Sequence, residues 1–174
     1  MSQHPNLKEL ERIATRLRLH VVNMIAPSGQ GYVQQGLGAA DIFTSLYFAE
    51  ATMDTEHPNW ADRDRIFLTT AHNTAIFYAT LGERGFFDTE RLKTYVTDGS
   101  ELEINSSERL GSYVEATCGS LGQGLSVAVG CALAANVRVV PAGSTLSSVM
   151  VKCRKDRYGK LLCLQVQKGW IICA

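Results

Sequence analysis

The chain has 174 residues, 45% of them apolar and 20% charged, which is typical of one soluble globular domain. No apolar run is long enough to cross a bilayer, and no signal peptide is evident at the N-terminus. The five cysteines lack paired or metal-type spacing, which favours a reducing cytoplasm over a disulfide framework. We therefore expect a cytoplasmic protein with no membrane segment.

Charge is distributed unevenly along the chain. From Met1 to Val149 there are 11 basic and 16 acidic side chains, a net charge of −5, whereas Met150 to Ala174 carries 6 basic and 1 acidic, a net charge of +5. So abrupt a change of sign indicates an interaction tail or a segment of different origin. Because basic and aromatic residues do not interleave and no binding motif is present, we do not expect nucleic acid as a partner.

The first part of the chain predicts two helices and a strand. Apolar residues recur at helical spacing from Leu7 to Ile25, with Asn6 as the cap, and the run Pro27–Gly31 is predicted to break this helix. A second helix is predicted over Ala39–Ala51. Arg65 to Thr70 is predicted to be a short buried strand.

The next part predicts three more helices. They run from Asn73 to Arg84, from Thr89 to Val96 with Asp88 as the cap, and from a glycine-rich loop to about Asn136. Ser100 to Ser112 is polar and irregular. Because strand and helices alternate without hairpin signals, we predict an α/β fold with helices packed on a mainly parallel sheet.

Gly119, Gly122 and Gly124 immediately precede the last of these helices. Without Cβ atoms the backbone can approach a ligand, and the free N–H groups of a helix start attract an anion such as pyrophosphate. The spacing is neither the dinucleotide fingerprint nor a P-loop. These glycines could equally serve only to let a helix pack closely.

His72 directly follows the predicted strand. In an open α/β sheet ligands gather at the carboxyl ends of strands, where a histidine can bind a phosphate or transfer a proton. A structural role is the alternative. The charged runs Asp62–Arg65 and Lys8–Arg18 are interpreted as solvated faces or local salt bridges, and neither the acidic residues after Ser100 nor the cysteines suggest a catalytic group.

Six stretches occur together in the order and spacing found in transketolases. They are Gly36–Ile42, Leu46–Phe48, Pro58–Arg65, Ala71–His72, Glu83–Phe87 and Val114–Ser126. The first 138 residues therefore resemble the pyrophosphate-binding domain of transketolase, an incomplete thiamine diphosphate-binding fold. Gly29–Val33 is similar to the two-subunit transketolases, particularly those of apulose 4-phosphate.

The resemblance implies transfer of two-carbon ketol units between sugar phosphates with thiamine diphosphate and Mg²⁺. It implies that His72 is catalytic and lies at the cofactor pyrophosphate and the substrate entrance. The implied cofactor-binding set is His72, Gly119, Ser120, Leu121 and Gly122. Gln30 and Asn105 stand at or near family histidine positions, so they are implied substrate residues whose contacts must differ from those of the family.

The resemblance also implies a partner. In the two-subunit arrangement a separate chain supplies the pyrimidine-binding domain, including the glutamate that activates the cofactor, and the intact family is oligomeric. Two alternatives stay open. The chain could be a non-catalytic relic that binds a partner subunit, or a member of another thiamine diphosphate family such as deoxyxylulose-phosphate synthase.

The family holds its divalent cation with a Gly-Asp-Gly-Glu motif and a later asparagine, and this sequence has neither, so we predict that the metal site is missing. A one-base change of frame removes the mismatch. Val149 to Lys152 can be encoded so that the shifted frame reads Asp-Gly-Glu, and permitted codons up to Cys173 continue the family's metal-motif region. We therefore predict a frameshift near Val139 to Ser144 and a divergent tail over 139–174. Loss of the later strands predicts exposed apolar surface and a weakly folded, inactive chain.

Overall fold

The computed structural model describes residues 5–61, 63–117, 119–134, 150–153, 161–167 and 170–173. They fall into two compact units, which are described separately. The first unit comprises Met1–Pro58 and His72–Asn105, and the second comprises Asn59–Ala71 and Ser106–Ala174. Among the described residues, no helix combines the length and the apolar character of a membrane span.

The first unit begins with helix α1, Leu7–Ser28. Asn6 caps it as predicted, since the Asn6 side chain accepts the Glu9 N–H at 3.0 Å. The helix ends within the run Pro27–Gly31, as predicted: it extends to Ser28, three residues beyond the predicted Ile25, and Gly29 caps it in a left-handed conformation. A proline this close to the end removes only a bond of the last turn, so its cost is small.

Helix α2, Val33–Thr44, continues as a π-helical turn, Ser45–Glu50. The sequence predicted this helix to start only at Ala39, so the predicted start is wrong by six residues. The difference arises because Gly36 faces Val21 of α1, where a Cβ would lie 2.9 Å from Val21 Cγ1. Close packing of the two helices therefore outweighs the low helix propensity of glycine.

Helix α3, Thr74–Arg84, lies at the centre of the first unit, with nine consecutive residues from Thr74 to Gly82 buried. A 3₁₀ helix, Thr89–Thr94, follows and is capped by Asp88 as predicted. The core combines aromatic and aliphatic side chains from α1, α2 and α3. Its largest fully buried members include Leu17, Phe43, Tyr47, Ile76, Phe77, Tyr78 and Leu81.

The second unit contains strand β1, Arg65–Leu68, and helix α4, Gln123–Ala134. Three further strands lie in the tail: β2, Met150–Cys153, β3, Leu161–Gln167, and β4, Trp170–Cys173. The sheet has the order β1-β2-β3-β4, and its pairs include Arg65 with Cys153, Cys153 with Leu161, and Gln167 with Trp170.

All three ladders of this sheet are antiparallel, so the prediction of a mainly parallel sheet is wrong for the described strands. For two of the ladders the physical reason is the length of the connections. Only a few residues separate β2 from β3 and β3 from β4, whereas a parallel pair needs a crossover of a dozen residues or more. The predicted frameshift position, Val139 to Ser144, and the predicted helix end at Asn136 lie outside the described residues.

Candidate functional site

The glycine loop of the second unit, Gly119–Gly124, leads into α4. Gly122 has φ +82°, a conformation that side-chain-bearing residues rarely adopt, and no atom of the described residues, chain neighbours aside, lies within 4 Å of a Cβ placed at Gly119 or Gly122. The Gly122 N–H donates to the carbonyl of Thr69 at 3.2 Å, just after β1 ends. The loop is thus attached to the carboxyl end of the strand with open space beside its backbone.

The loop also has backbone donors to offer. Of the residues described, none accepts a hydrogen bond from the N–H of Ser120 or Leu121, and the Leu121 side chain is exposed, with 64% of its surface accessible. Unused N–H groups before a helix start attract anions. The residues present therefore fit a phosphate-bearing cofactor at this loop.

Glu115, four residues before the loop, is a residue that sequence reasoning missed. Its Oε1 accepts from Arg63 Nη1 and its Oε2 accepts from Arg65 Nη1 at 2.9 Å. The side chains of Glu115 and Arg63 are each only 8% exposed. Asp64 is buried as well, so a solvated face is wrong for Arg63 and Asp64, whereas the alternative of salt bridges holds for Arg63 and for the exposed Arg65; Asp62 itself lies outside the described residues.

A second contact fixes the chain just ahead of the loop. Glu108 N–H donates to Thr117 Oγ1 at 3.0 Å, and Thr117 N–H donates to Glu108 Oε1 at 3.2 Å. This reciprocal pair closes the segment from Glu108 to Thr117. Glu115 lies within the segment that this pair closes.

His72 lies in a short 3₁₀ turn, Ala71–Asn73, and is half-buried. Within the first unit its ring meets the edge of Tyr32, with ring centroids 4.3 Å apart and planes at 81°. Edge-to-face packing of this kind orients an aromatic ring. Tyr32 is a neighbour that the sequence did not identify, although it belongs to the Gly29–Val33 stretch that carried part of the resemblance.

Gln30 and Asn105, the predicted substrate residues, are both exposed in the first unit. The Gln30 N–H donates to Ser28 Oγ at 3.2 Å. The next residue, Gly31, has φ +140° and leaves no room for a Cβ, which would lie 2.8 Å from Ile25 Cγ1 and 3.2 Å from Tyr95 Oη. The loop that presents Gln30 is therefore closely packed at its base.

The predicted residues thus divide between the units. His72, Gln30 and Asn105 belong to the first unit, and Gly119 to Gly122 belong to the second. Their joint use stays a prediction. A groove of about 420 Å³ in the first unit, lined by Phe48, Met53 and Arg84 among others, contains none of them.

Burial affects two phenols of the first unit. It raises the pKa of Tyr95 to about 12, with a smaller contribution from Tyr32. Burial also raises the pKa of Tyr78 above its ordinary range. Both phenols are therefore neutral at physiological pH. As for cations, the described part of the chain holds no cluster of three or more His, Cys, Asp or Glu side chains that could bind a metal ion.

Comparison with known proteins identifies the same domain. The family "Transketolase, thiamine diphosphate binding domain" matches residues 10–144. A transketolase family protein of Sinorhizobium fredii is 37% identical over 134 residues, covering 77% of this chain and 48% of that protein. The 6-deoxy-6-sulfo-D-fructose transketolase subunit SqwG of Clostridium sp. is 34% identical over 133 residues, covering 76% and 48%. The chain therefore spans about half the length of these two relatives.

Solved structures agree. The transketolase of Campylobacter jejuni superposes with a TM-score of 0.68 at 30% identity, covering 75% of this chain and 21% of that one. The transketolase of Leishmania mexicana gives a TM-score of 0.66 at 29% identity, covering 75% and 20%. These neighbours are consistent with an α/β fold.

Proposed function

This chain belongs to the transketolase family through its thiamine diphosphate-binding domain, and on that premise we propose that it derives from the N-terminal subunit of a two-subunit transketolase. The reaction of such an enzyme is transfer of two-carbon ketol units between sugar phosphates. The observation that supports this most directly is the glycine loop, which combines an open backbone and unused N–H groups after a strand end.

We assign the diphosphate of the cofactor to the N–H groups of Gly119, Ser120 and Leu121, beside the open backbone of Gly122, whose own N–H donates to Thr69. His72 contributes a polar nitrogen toward cofactor and substrate, and its ring is oriented by Tyr32. Gln30 and Asn105 are assigned to the substrate. When bound, thiamine diphosphate supplies the carbanion-stabilising chemistry of ketol transfer. We propose that the family's Mg²⁺ site is missing from this chain, in which the described residues hold no cluster of three or more His, Cys, Asp or Glu side chains.

The partner follows from the relatives. One of them is named as a transketolase subunit, and this chain matches about half of its length. We propose a second polypeptide with the pyrimidine-binding domain as the partner, an oligomer for the intact enzyme, and the cytoplasm as its location.

A second candidate is a chain without turnover, and the tail favours it. The family match ends at residue 144, the charge reverses at about the same place, and the strands that follow form antiparallel hairpins. We propose that residues after about Val139 are translated out of frame. Sequencing the gene tests this directly, because the idea fails if no alternative frame encodes Asp-Gly-Glu at that point.

Calorimetry tests the proposed function. The chain as it stands is titrated with thiamine diphosphate and Mg²⁺, beside a repaired chain whose tail is replaced by the product of the shifted frame. We expect saturable binding only by the repaired chain, and loss of binding when Gly122→Val is introduced into it, since valine cannot adopt φ +82° without strain. Gly38→Ala, at a site with open space, is the control. Tight binding of thiamine diphosphate and Mg²⁺ by the unrepaired chain would contradict the prediction that its metal site is missing. Absence of binding by both chains would refute the proposed function.

A further inference from the structure

We propose that Glu115 is a positioning residue for the glycine loop, acting through Arg63 and Arg65 without touching a ligand. The inference rests on the proposed function of the loop as the diphosphate-binding segment. It assigns a task to a buried charge cluster that ketol transfer itself does not use.

Both carboxylate oxygens of Glu115 take part in ion pairs. Each oxygen of Glu115 accepts from a different guanidinium, Oε1 from Arg63 and Oε2 from Arg65. Arg63 Nη1 also donates to the carbonyl of Asp64 at 3.3 Å. Because charge-assisted hydrogen bonds are strong and directional, two of them at one carboxylate fix both the position and the rotation of the Glu115 side chain.

Stability alone is a poor explanation for this cluster. Removing charges from water is costly, and buried ion pairs can often be replaced by apolar residues without loss of stability. Unlike an apolar contact, the hydrogen bonds of an ion triad are directional, so they fix the orientation of the side chains that they join. Arg63 and Arg65 adjoin or belong to β1, so Glu115 ties the segment before the glycine loop to the start of that strand.

The far end of the same strand holds the far end of the loop. Thr69, which follows β1, accepts from the Gly122 N–H. The chain from Glu115 to Gly122 is thus attached at both ends of one short strand. Between these attachments, the N–H groups of Ser120 and Leu121 donate to no acceptor within the described ranges. The loop is held without using the donors that an anion needs, which is the requirement for a preorganised site.

Amide hydrogen exchange of the full chain without cofactor, resolved by NMR, tests the proposal. In Glu115→Gln we expect the Gly122 amide to exchange at least tenfold faster, because its bond to Thr69 opens more often. The Ala128 amide inside α4 should change less than twofold. The matched control is Glu83→Gln, a glutamate of the first unit also held by two basic side chains, which should leave the Gly122 rate unchanged.

Equal acceleration of Gly122 and Ala128 in Glu115→Gln would mean general destabilisation and would overturn the proposal, as would no change at either amide. If Glu115→Gln does not fold, Arg65→Gln removes only the half-exposed arm and should accelerate Gly122 about threefold. Arg65→Lys should restore the wild-type rate, and failure of either Arg65 variant would equally refute the proposal. Because no cofactor is present, these outcomes are independent of whether thiamine diphosphate binds.

Discussion

Each compact unit holds one glutamate between two basic side chains, but at different depths. In the first unit Glu83 accepts from Arg16 Nε at 2.5 Å and lies 3.2 Å from His20 Nε2, with Arg16 48% exposed. In the second unit Glu115 and Arg63 are both buried. Exposed pairs contribute about 0–1 kcal/mol, whereas removing one partner of a buried pair costs about 3–5 kcal/mol. Because Glu83 is 15% exposed and Glu115 only 8%, we expect the arrangement to contribute less to the stability of the first unit than to that of the second.

The units also differ in what else holds them. The first is stabilised by apolar side chains between helices, with fully buried aromatic and aliphatic residues. The second also buries apolar side chains such as Ile66 and Phe67, and to these it adds the Arg63–Glu115–Arg65 triad, the Glu108–Thr117 pair and the Gly122–Thr69 bond. Hydrogen bonds and ion pairs depend on the partner and on direction. We therefore expect the second unit to tolerate fewer substitutions that change polarity or charge, and the first unit to tolerate fewer substitutions that change side-chain volume.

The largest effect should follow from Arg63→Met. It leaves the buried Glu115 carboxylate with one half-exposed partner, and we expect a loss of about 3–5 kcal/mol in the free energy of unfolding of the second unit. Urea unfolding followed by tryptophan fluorescence measures it, since Trp60 belongs to this unit. Arg16→Met should lower the free energy of unfolding of the first unit by less than about 1 kcal/mol. Hydrogen exchange of α1 measures this loss. Similar losses of stability in Arg63→Met and Arg16→Met would contradict the expected difference between the two units.

The packing of the first unit is tested at two glycines of α2. Gly36→Ala places a Cβ 2.9 Å from Val21 Cγ1 and should destabilise by about 1–3 kcal/mol through overpacking. Gly38→Ala meets open space and should stabilise the helix by about 0.5–1 kcal/mol. Thermal unfolding followed by circular dichroism compares the two. Stabilisation by both would show that α1 and α2 are not closely packed at Gly36.

A smaller loss is expected at the start of α1. Asn6→Ala removes the acceptor for the Glu9 N–H and should cost about 1 kcal/mol. Asn6→Asp keeps an acceptor and serves as the control. Hydrogen exchange of the first turn of α1 measures both variants, and equal exchange in the two would mean that the cap contributes nothing.

The smallest effect at neutral pH comes from Tyr95. Its folded pKa of about 12 exceeds the ordinary value of 10.0, so the folded state binds the phenol proton more tightly than the unfolded state does. This contribution is complete below about pH 10 and is lost as the pH rises toward 12. Phenolate absorbance and helical circular dichroism during alkaline titration should show this decline, and Tyr95→Phe should weaken it. An unchanged profile in Tyr95→Phe would assign the decline to another group.

The features predicted correctly from the sequence are mostly local. The caps at Asn6 and Asp88 and helix α3 depend on residues within one turn of each other, so their patterns are readable in the chain. The family resemblance is confirmed as well, because it combines many short stretches in order. The roles of His72 and of the glycine loop remain predictions.

The missed features depend on distant partners. Glu115 meets Arg63 from 52 positions away, and nothing local distinguishes such an arginine from a solvated one. Similarly, α2 begins before its glycines because α1 packs against Gly36. The antiparallel sheet was not foreseen, since the alternation of strand and helices that favoured a parallel sheet came from residues before the tail.

Strand β1 is only four residues long, yet one partner of the glycine loop segment sits at each of its ends. The length of the strand therefore sets the distance between the two attachment points of the loop segment. An insertion of one residue between Arg65 and Thr69 would add about 3.3 Å and turn the following side chains to the opposite face. The two attachments therefore constrain the number of residues in this strand more than they constrain which side chains it carries.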